Sequence, residues 1–492
     1  MKLPDLNEKL RVYVEQFGTE DEELYPGEIP NAAAYDDLLQ NIPLLDFPDK
    51  ELERTYYFRW WTLRKHWHLT PHGHILTEFL PPVGWAGPYN SINCALGHHL
   101  REARWLKDKD GRVAEYIRFW LDGHGNALTY STWFASAIED YFSLHPNMEL
   151  MRECLPKLDA LYRQREREQL RSCGLFWSND GYDGMEFSIS GSGLRPTLNS
   201  YMCGDAFAIA RMAEKTGLND LAQAYDARGK FLKKKIDCLL WDDDFYRTIP
   251  CGQQQPAEFD ARPKTPEEHR VRELIGYLPW YFHLASPQKD FVFRQLVDPE
   301  GFAAPFGLTT AEQRHPRFLF EHAHECLWNG YVWPYATAQT LTAAANAIRD
   351  HKDAPPLSNE EYFGLLRQYA ASHRITGEDG NVRCWIDEDL HPFTGRWYAR
   401  DVLKRSGREQ PGGIYERGKD YNHSTFCDLV LSGLLGLQFD NGVLEADPLL
   451  PESCDHFLVT GLTQENWTVL FDKDGTHYGQ GKGLQCFRSE PV

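Results

Sequence analysis

The sequence predicts a mainly helical protein, a toroid of helical hairpins with a small β appendage at its carboxy-terminal end. Three observations predict it. Segments of helical period fill the chain between residues 51 and 436, with apolar residues at i, i+3, i+4 and i+7, as in Leu155, Leu158, Leu161 and Tyr162 or Ala206, Ile209, Ala210 and Ala213. The linkers alternate between short turns and long stretches rich in Gly, Pro, Trp and Asp, which suits hairpins set in a ring better than a bundle. Strand-like alternation gathers after residue 440.

Residues 1–50 form a polar lead with one short helix near 6–16, expected to pack on the toroid. Residues 51–69 read as an amphipathic helix, because Tyr57, Trp60, Trp61 and Arg64 share one face. A turn at Thr70-Pro71-His72-Gly73 follows, then a short extended stretch at 75–79 that Pro81-Pro82 ends. Beyond a loop at 84–97, helices are predicted over 98–106, 111–121, 129–144, 147–170, 199–215, 218–239, 267–284, 288–296, 331–350, 358–373 and 422–436. These make 51–439 the toroidal unit. Residues 440–492 are predicted to form strands at 443–446, 456–460, 468–471 and 484–487, joined by Asp-Lys-Asp-Gly and Gly-Gln-Gly-Lys-Gly turns.

The chain carries 52 basic and 72 acidic residues, a formal charge of −20, and its only basic run is Lys233-Lys234-Lys235. Nucleic acid and anionic membranes are therefore not expected partners. No segment approaches the roughly 18 apolar residues of a membrane span, and residues 1–30 lack the basic start and apolar core of a secretory signal. The 11 Cys are odd in number, scattered and without a CxxC pair, as in a reduced cytoplasmic protein. The adjacent pair His98-His99 and the spaced pair His322/His324 do not share a helix face, so no metal and no cofactor is expected. Oligomeric state is not legible. Aromatics reach 13%, with 15 Trp and 24 Tyr, and many sit in Gly/Pro-rich stretches where platforms for sugar rings would lie; core packing is the commoner use. The expected partner is a small carbohydrate.

Three loops concentrate the chemistry. Residues 177–201 hold Asp180, Asp183 and Glu186 among Trp177, Tyr182, Phe187 and Tyr201, with Arg195 nearby. A carboxyl on a glycine-rich loop beside an apolar wall suits a general acid, since burial raises its pKa; a solvated acidic turn is the competing reading. Residues 325–335 place Trp328 and Trp333 as flat apolar faces and Asn329 as an amide, the groups a sugar site uses. Residues 385–395 place Asp387, Glu388 and Asp389 before a Pro and a Gly. An acidic triplet is usually only solvated, but glycosidic hydrolysis needs two carboxyls on opposite faces of the sugar. Trp85, Tyr89, Trp177, Tyr201, Trp328 and Trp333 are the candidate ring contacts; Arg104, Arg195 and Asn329 are the candidate partners for hydroxyls or a carboxylate.

The loops carry three motifs that, in this order, resemble the mannosylglycerate-hydrolase-like branch of glycoside hydrolase family 63, related to the trehalases. Asp180-Gly-Tyr-Asp183 resembles the family's Ser-Gly-aromatic-Asp loop. Trp328-Asn-Gly-Tyr-Val-Trp-Pro334 resembles its Trp-x-Gly-Pro-Val-Trp element, and Glu388-Asp-Leu-His-Pro-Phe-Thr-Gly395 its Glu-x-Tyr-x-Pro-x-Thr-Gly element. The resemblance spans roughly 55–440. It implies an (α/α)6 barrel and an exo-acting, inverting hydrolase of an α-glycoside, with Asp183 as general acid and Glu388 as general base.

The departures name the rivals. Asn179 and Asp180 stand where the family's acid loop often has Glu and Ser. Glu416, in Tyr415-Glu416-Arg417-Gly418, is a second candidate base, and Glu186 and Asp180 are weaker candidate acids. Arg101-Glu-Ala-Arg-Trp105 matches the trehalase Arg-Glu-x-Tyr-Tyr-Trp-Asp motif only loosely, which argues against trehalose. Such toroids also host epimerases, phosphorylases, uronide hydrolases and lyases, and a catalytically inactive sugar-binding protein would use the same aromatics. The Glu388 loop speaks against a phosphorylase; the histidine pairs leave an epimerase open.

Overall fold

The computed structural model describes residues 3–253, 258–259, 261–320, 324–406, 415–440 and 442–488. It is mainly helical, with short β-hairpins in the connections and one four-stranded sheet.

Two kinds of helix recur. Pro196–Lys215 and Pro334–Asp350 are buried on nearly every side, whereas Asn219–Lys235 buries only Tyr225, Gly229 and Leu232. A helix closed to water all round must be enclosed by others, while one with a single buried stripe belongs at the surface. The enclosed helices touch in succession. Leu96–Ala103 packs on Ala135–Leu144, that helix on Pro196–Lys215, and the next contacts lead through Leu278–Tyr281 and Pro334–Asp350 to the turns at Leu429–Leu434. From there the chain meets the first helix again. The Glu102 carboxylate accepts the backbone N–H groups of Phe426, Cys427 and Asp428, and Asp428 in turn accepts from Arg104 and Trp105.

Close approach between enclosed helices rests on small residues. A Cβ on Gly97 would lie 2.1 Å from Cε2 of Trp133, a fully buried ring. Gly97→Ala is therefore expected to cost about 1–3 kcal/mol through overpacking, read as a lower urea midpoint at unchanged m-value.

Pro196 and Pro334 stand at the first turn of their helices, where the missing N–H is no loss. The residues just before them, Arg195 and Trp333, are extended. The acid loop and the tryptophan loop therefore both end at the amino-terminal ends of enclosed helices.

Some predicted elements differ. The helix expected over 267–284 is broken into 3-10 turns at Glu267–His269 and Leu274–Tyr277 and a single α-turn at Leu278–Tyr281. Gly276 lies against Phe245, Pro279 supplies no N–H, and Glu273 bridges to Ala311. The helix expected from 129 starts at Ala135, because the Asn93 amide holds the backbone at Ala127 and Tyr130. Helices Ala34–Asn41 and Tyr398–Ser406 have no counterpart in the sequence reading.

The amino-terminal lead does more than pack. Leu6–Glu20 lies on Lys50–Lys65, and Leu44–Asp46 joins the carboxy-terminal strands as the edge of their sheet. It pairs antiparallel with His456–Leu462, Leu45 facing Val459; Trp467–Asp472 and Gly483–Arg488 complete the sheet. The expected boundary at 440 falls at the end of Leu437–Asp440, which pairs with Val443–Ala446. Among the described residues no helix is long and apolar enough to cross a membrane.

Candidate active site

A cavity of about 340 Å³ lies where the acid loop, the tryptophan loop and the segments around Glu388 and Arg417 meet. Its size is that of a small-molecule site. Asp183 and Glu388, drawn from distant parts of the chain, both line it.

Asp183 follows a 3-10 turn, Asp180–Tyr182, capped by the Asn179 side chain. It is buried, and Arg195 Nε donates to its Oδ2 at 2.5 Å. Its Oδ1 is buried without a partner. The guanidinium thus engages one carboxyl oxygen of Asp183 and leaves the other without a partner. Arg195 also donates to Ser188 Oγ and to the carbonyls of Gly191 and Met185. Its fork is spent on the loop, so Arg195 orients Asp183 and is not free for a substrate.

Glu388 is held from two sides. Arg417 Nε donates to its Oε1 at 2.8 Å, and the Cys326 thiol lies 3.1 Å from its Oε2. Arg417 also pairs with Glu325 at 3.0 Å and lies 4.8 Å over the Trp85 ring. The neighbours of Glu388 in sequence have other tasks. Asp387 accepts from the Glu388 N–H and the Trp385 indole, and burial, with the Glu388 charge, pushes it up to about 7. Asp389 caps the helix Tyr398–Ser406 by accepting from Ala399 N, and burial pushes it well above the usual carboxylate range.

Two further carboxyls share the cavity. Burial pushes Glu78 up to about 8, with the Glu388 charge adding to it and the Tyr421 hydrogen bond opposing it. Glu186 is pushed well above the usual range, by burial first and then by Glu78 and Glu388. His423 also lines the cavity, buried among Trp333, Tyr335 and Tyr421, and its burial holds it well below the usual imidazole range.

Trp85, Trp328 and Trp333 form an aromatic wall. Trp328 and Trp333 stack on each other with ring centroids 4.0 Å apart, so each covers one face of the other. Trp85 is 39% exposed and offers the accessible ring.

Other sequence candidates lie elsewhere. Glu416 pairs with Arg400 on the wall of a different cavity, so it does not face Asp183. Tyr89 borders another cavity and packs edge-on to His72 and Phe119. Arg104 is consumed by Asp428, and Arg101 reaches the same carboxylate. The Trp177 indole donates to the Cys251 carbonyl, and the Asn329 amide to the Phe320 carbonyl. Tyr201 is fully buried, its hydroxyl shared with Tyr335 and Gln339. Asp180 bonds Ser192. His98 and His99 are buried and do not line the cavity; His324 does, and His322 lies outside the described residues.

Sequence reasoning missed Glu78, Arg417 and Tyr421 as cavity residues. Glu78 had one signal, an acid inside the apolar stretch 75–79. Groups suited to a metal sit on the carboxy-terminal sheet instead, at Asp455, His456 and His477 and at Asp472, Asp474 and His477.

The model of the mannosylglycerate hydrolase MGH1-like glycoside hydrolase domain matches residues 88–424, which include Asp183, Trp328, Glu388 and Arg417. The chain belongs to this family. The resemblance drawn from the three motifs is thus borne out at the level of the family. The MGH1-like chain is also similar to a sialidase structure, 35% identical with a TM-score of 0.87, over 99% of this chain and 43% of that one. The GH63 mannosylglycerate hydrolase from Thermus thermophilus, solved in complex with glucose, is 14% identical with a TM-score of 0.52, over 76% of this chain and 98% of that one. That likeness is one of fold. An uncharacterized protein of Borreliella burgdorferi is 26% identical over 31% of this chain and 34% of its own. The MGH1-like chain therefore spans less than half the length of the sialidase and about a third of that relative.

Proposed function

We propose that the protein is an exo-acting, inverting glycosidase that hydrolyses an α-glycoside of a small carbohydrate in the cytoplasm, on an (α/α)6 toroid flanked by the amino-terminal lead and the carboxy-terminal sheet. One observation carries the reading. Asp183 and Glu388, each oriented by its own arginine, line the same aromatic-walled cavity. The succession of enclosed helices that returns from Leu429–Leu434 to Leu96–Ala103 supports the toroid. The free state of all 11 cysteines supports a reducing setting.

In this reaction Asp183 gives the proton on Oδ1 to the glycosidic oxygen as its bond to the anomeric carbon breaks. Water attacks that carbon from the opposite face, and Glu388 takes the water proton. Arg195 and Arg417 fix the two carboxyls, and Trp85 offers its ring to the sugar. Inversion requires the carboxyls to stand about 6.5–9.5 Å apart, with the water between them.

The test is a panel of aryl and alkyl α-glycosides, with and without phosphate, followed by proton NMR. The β-anomer is expected to appear first and to mutarotate afterwards, at a rate independent of phosphate. An α-anomer formed first would rule out inversion, and a sugar phosphate product would rule out hydrolysis.

A further inference from the structure

We infer that His423 contacts the substrate: its imidazole forms a hydrogen bond with one hydroxyl of the glycone, so the cavity selects sugars that carry that hydroxyl and turns away the corresponding deoxy sugar. This rests on the reading of the cavity as a glycoside site and deepens it by naming a residue that sets specificity.

His423 lines the cavity at 2% exposure, and both of its ring nitrogens are buried without a hydrogen-bond partner among the described residues. A neutral imidazole carries one donor and one acceptor, and buried polar atoms are ordinarily paired. The rings packed around it have nothing to offer. The Trp333 indole donates to the Leu327 carbonyl, the Tyr421 hydroxyl donates to Glu78, and the Tyr335 hydroxyl is shared with Tyr201. What is left to supply a partner is a ligand in the cavity. If the ring only filled space among Trp333, Tyr335 and Tyr421, phenylalanine would fill it without burying two polar atoms. His98 also has two unpaired ring nitrogens, but it does not line the cavity, so of the two only His423 meets a ligand there.

The chain fixes His423 from both sides. The Asn422 backbone N–H donates to the Glu78 carbonyl at 3.1 Å, its amide donates to the Thr77 carbonyl at 3.0 Å, and its own carbonyl accepts from His99 at 2.5 Å. Arg59 donates to both the carbonyl and the hydroxyl of Ser424. A side chain held at both flanks and packed among three rings is positioned before any ligand arrives. Its protonation state is fixed as well. Burial first, then the fields of His98, His99 and Arg59, hold it well below the usual imidazole range, so at neutral pH it presents a donor and an acceptor and no charge. Depth decides which part of the substrate it meets. Trp333 and Tyr335 stand at the entry of the enclosed helix Pro334–Asp350, whereas the half-exposed Trp85 marks the open side. An exo-acting enzyme holds the terminal ring at the closed end, so the hydroxyl is one of the glycone's.

Ligand-observed NMR titration of the full chain tests this with D-mannose and D-glucose and their deoxy forms at C2, C3, C4 and C6. In the wild type at least one hexose is expected to bind, and at least one of its deoxy forms to bind about tenfold more weakly, a factor worth about 1.4 kcal/mol. His423→Phe should bind the parent hexose about tenfold more weakly and no longer distinguish it from that deoxy form, while discrimination at the other positions stays. His423→Gln, which keeps a donor and an acceptor, should retain part of the discrimination. An equal loss for every sugar in His423→Phe is what a packing role alone would give. That result, wild-type discrimination in His423→Phe, or no hexose binding at all would overturn the proposal. Should His423→Phe fold poorly, the wild type labelled at histidine nitrogen decides. The parent hexose is expected to shift buried ring-nitrogen signals that the critical deoxy form leaves in place, and equal shifts from both sugars would overturn the proposal too. The expected discrimination without turnover of any α-glycoside would fail the hydrolase reading alone, whereas turnover by an enzyme whose His423→Phe variant keeps the wild-type discrimination would fail this inference alone.

Discussion

Asp183→Asn is expected to lower kcat on an alkyl α-glycoside by about 10²–10⁴-fold, the usual contribution of a positioned proton donor, while KM stays within a few-fold. The amide keeps the shape of the side chain and an acceptor for Arg195, but it has no proton to give the leaving oxygen. Arg195 retains its bonds to Ser188, Met185 and Gly191, so the loop should stay in place. The leaving group supplies the diagnostic. A 4-nitrophenolate departs with little protonation, so the loss on the 4-nitrophenyl glycoside should be markedly smaller. Glu388→Gln, which removes the group that activates water, should slow both substrates alike. Equal losses for Asp183→Asn on the two substrates would move the acid role away from Asp183, and Glu186 would be the next carboxyl to test.

The second large effect is on stability. Asp428→Asn is expected to cost about 3–5 kcal/mol, because it leaves two guanidiniums without their buried counter-charge. The Asp428 carboxylate is fully buried and accepts from Arg104 at 2.5 Å, Arg101 at 3.2 Å and the Trp105 indole at 2.8 Å. Burial works against its charge, yet Arg104 and Arg101 prevail and hold it down to about 2. A carboxyl depressed in the folded state stabilises above its unfolded value, near 3.9, and loses that contribution as pH falls towards about 2. The wild type should therefore shed stability between about pH 4 and 2, and the acid limb of Asp428→Asn should be flatter. Urea midpoints across that range decide it. A loss under about 1 kcal/mol at neutral pH would mean that Asp140, 3.5–3.6 Å from the same arginines, takes over the pairing.

How legible was this molecule in its sequence? Local pattern spoke clearly where a local rule governs. Pro334 after an aromatic loop marked a helix entry, and the alternation after residue 440 gave the strands Val443–Ala446, His456–Leu462, Trp467–Asp472 and Gly483–Arg488. The acidic triplet at 387–389 was visible as a cluster, but its division of labour was not. Asp389 caps a helix that the sequence reading left out, and Glu388 owes its orientation to Arg417. Long-range pairing explains the other differences. Arg104, Arg195 and Asn329 were offered to a sugar because they sit near the right loops, yet each is bound within the protein. Glu416 and Arg417 are neighbours in sequence; one turns to Arg400, the other to Glu388. Nothing in a one-dimensional pattern tells such neighbours apart, because the partner that decides is supplied by the fold.

The pairing of Leu44–Asp46 with His456–Leu462 sets an order of events during synthesis. Leu44–Asp46 leaves the ribosome early, but its partner strand emerges only after the whole helical region. In that interval a short apolar strand stands with an open edge, the kind of surface that recruits other chains. Lys9 belongs to the same early segment and in the finished fold its ammonium pairs with one oxygen of Asp46, while Tyr478 donates to the other. Removing that early partner should raise aggregation of newly made chains while changing little in the finished enzyme's chemistry.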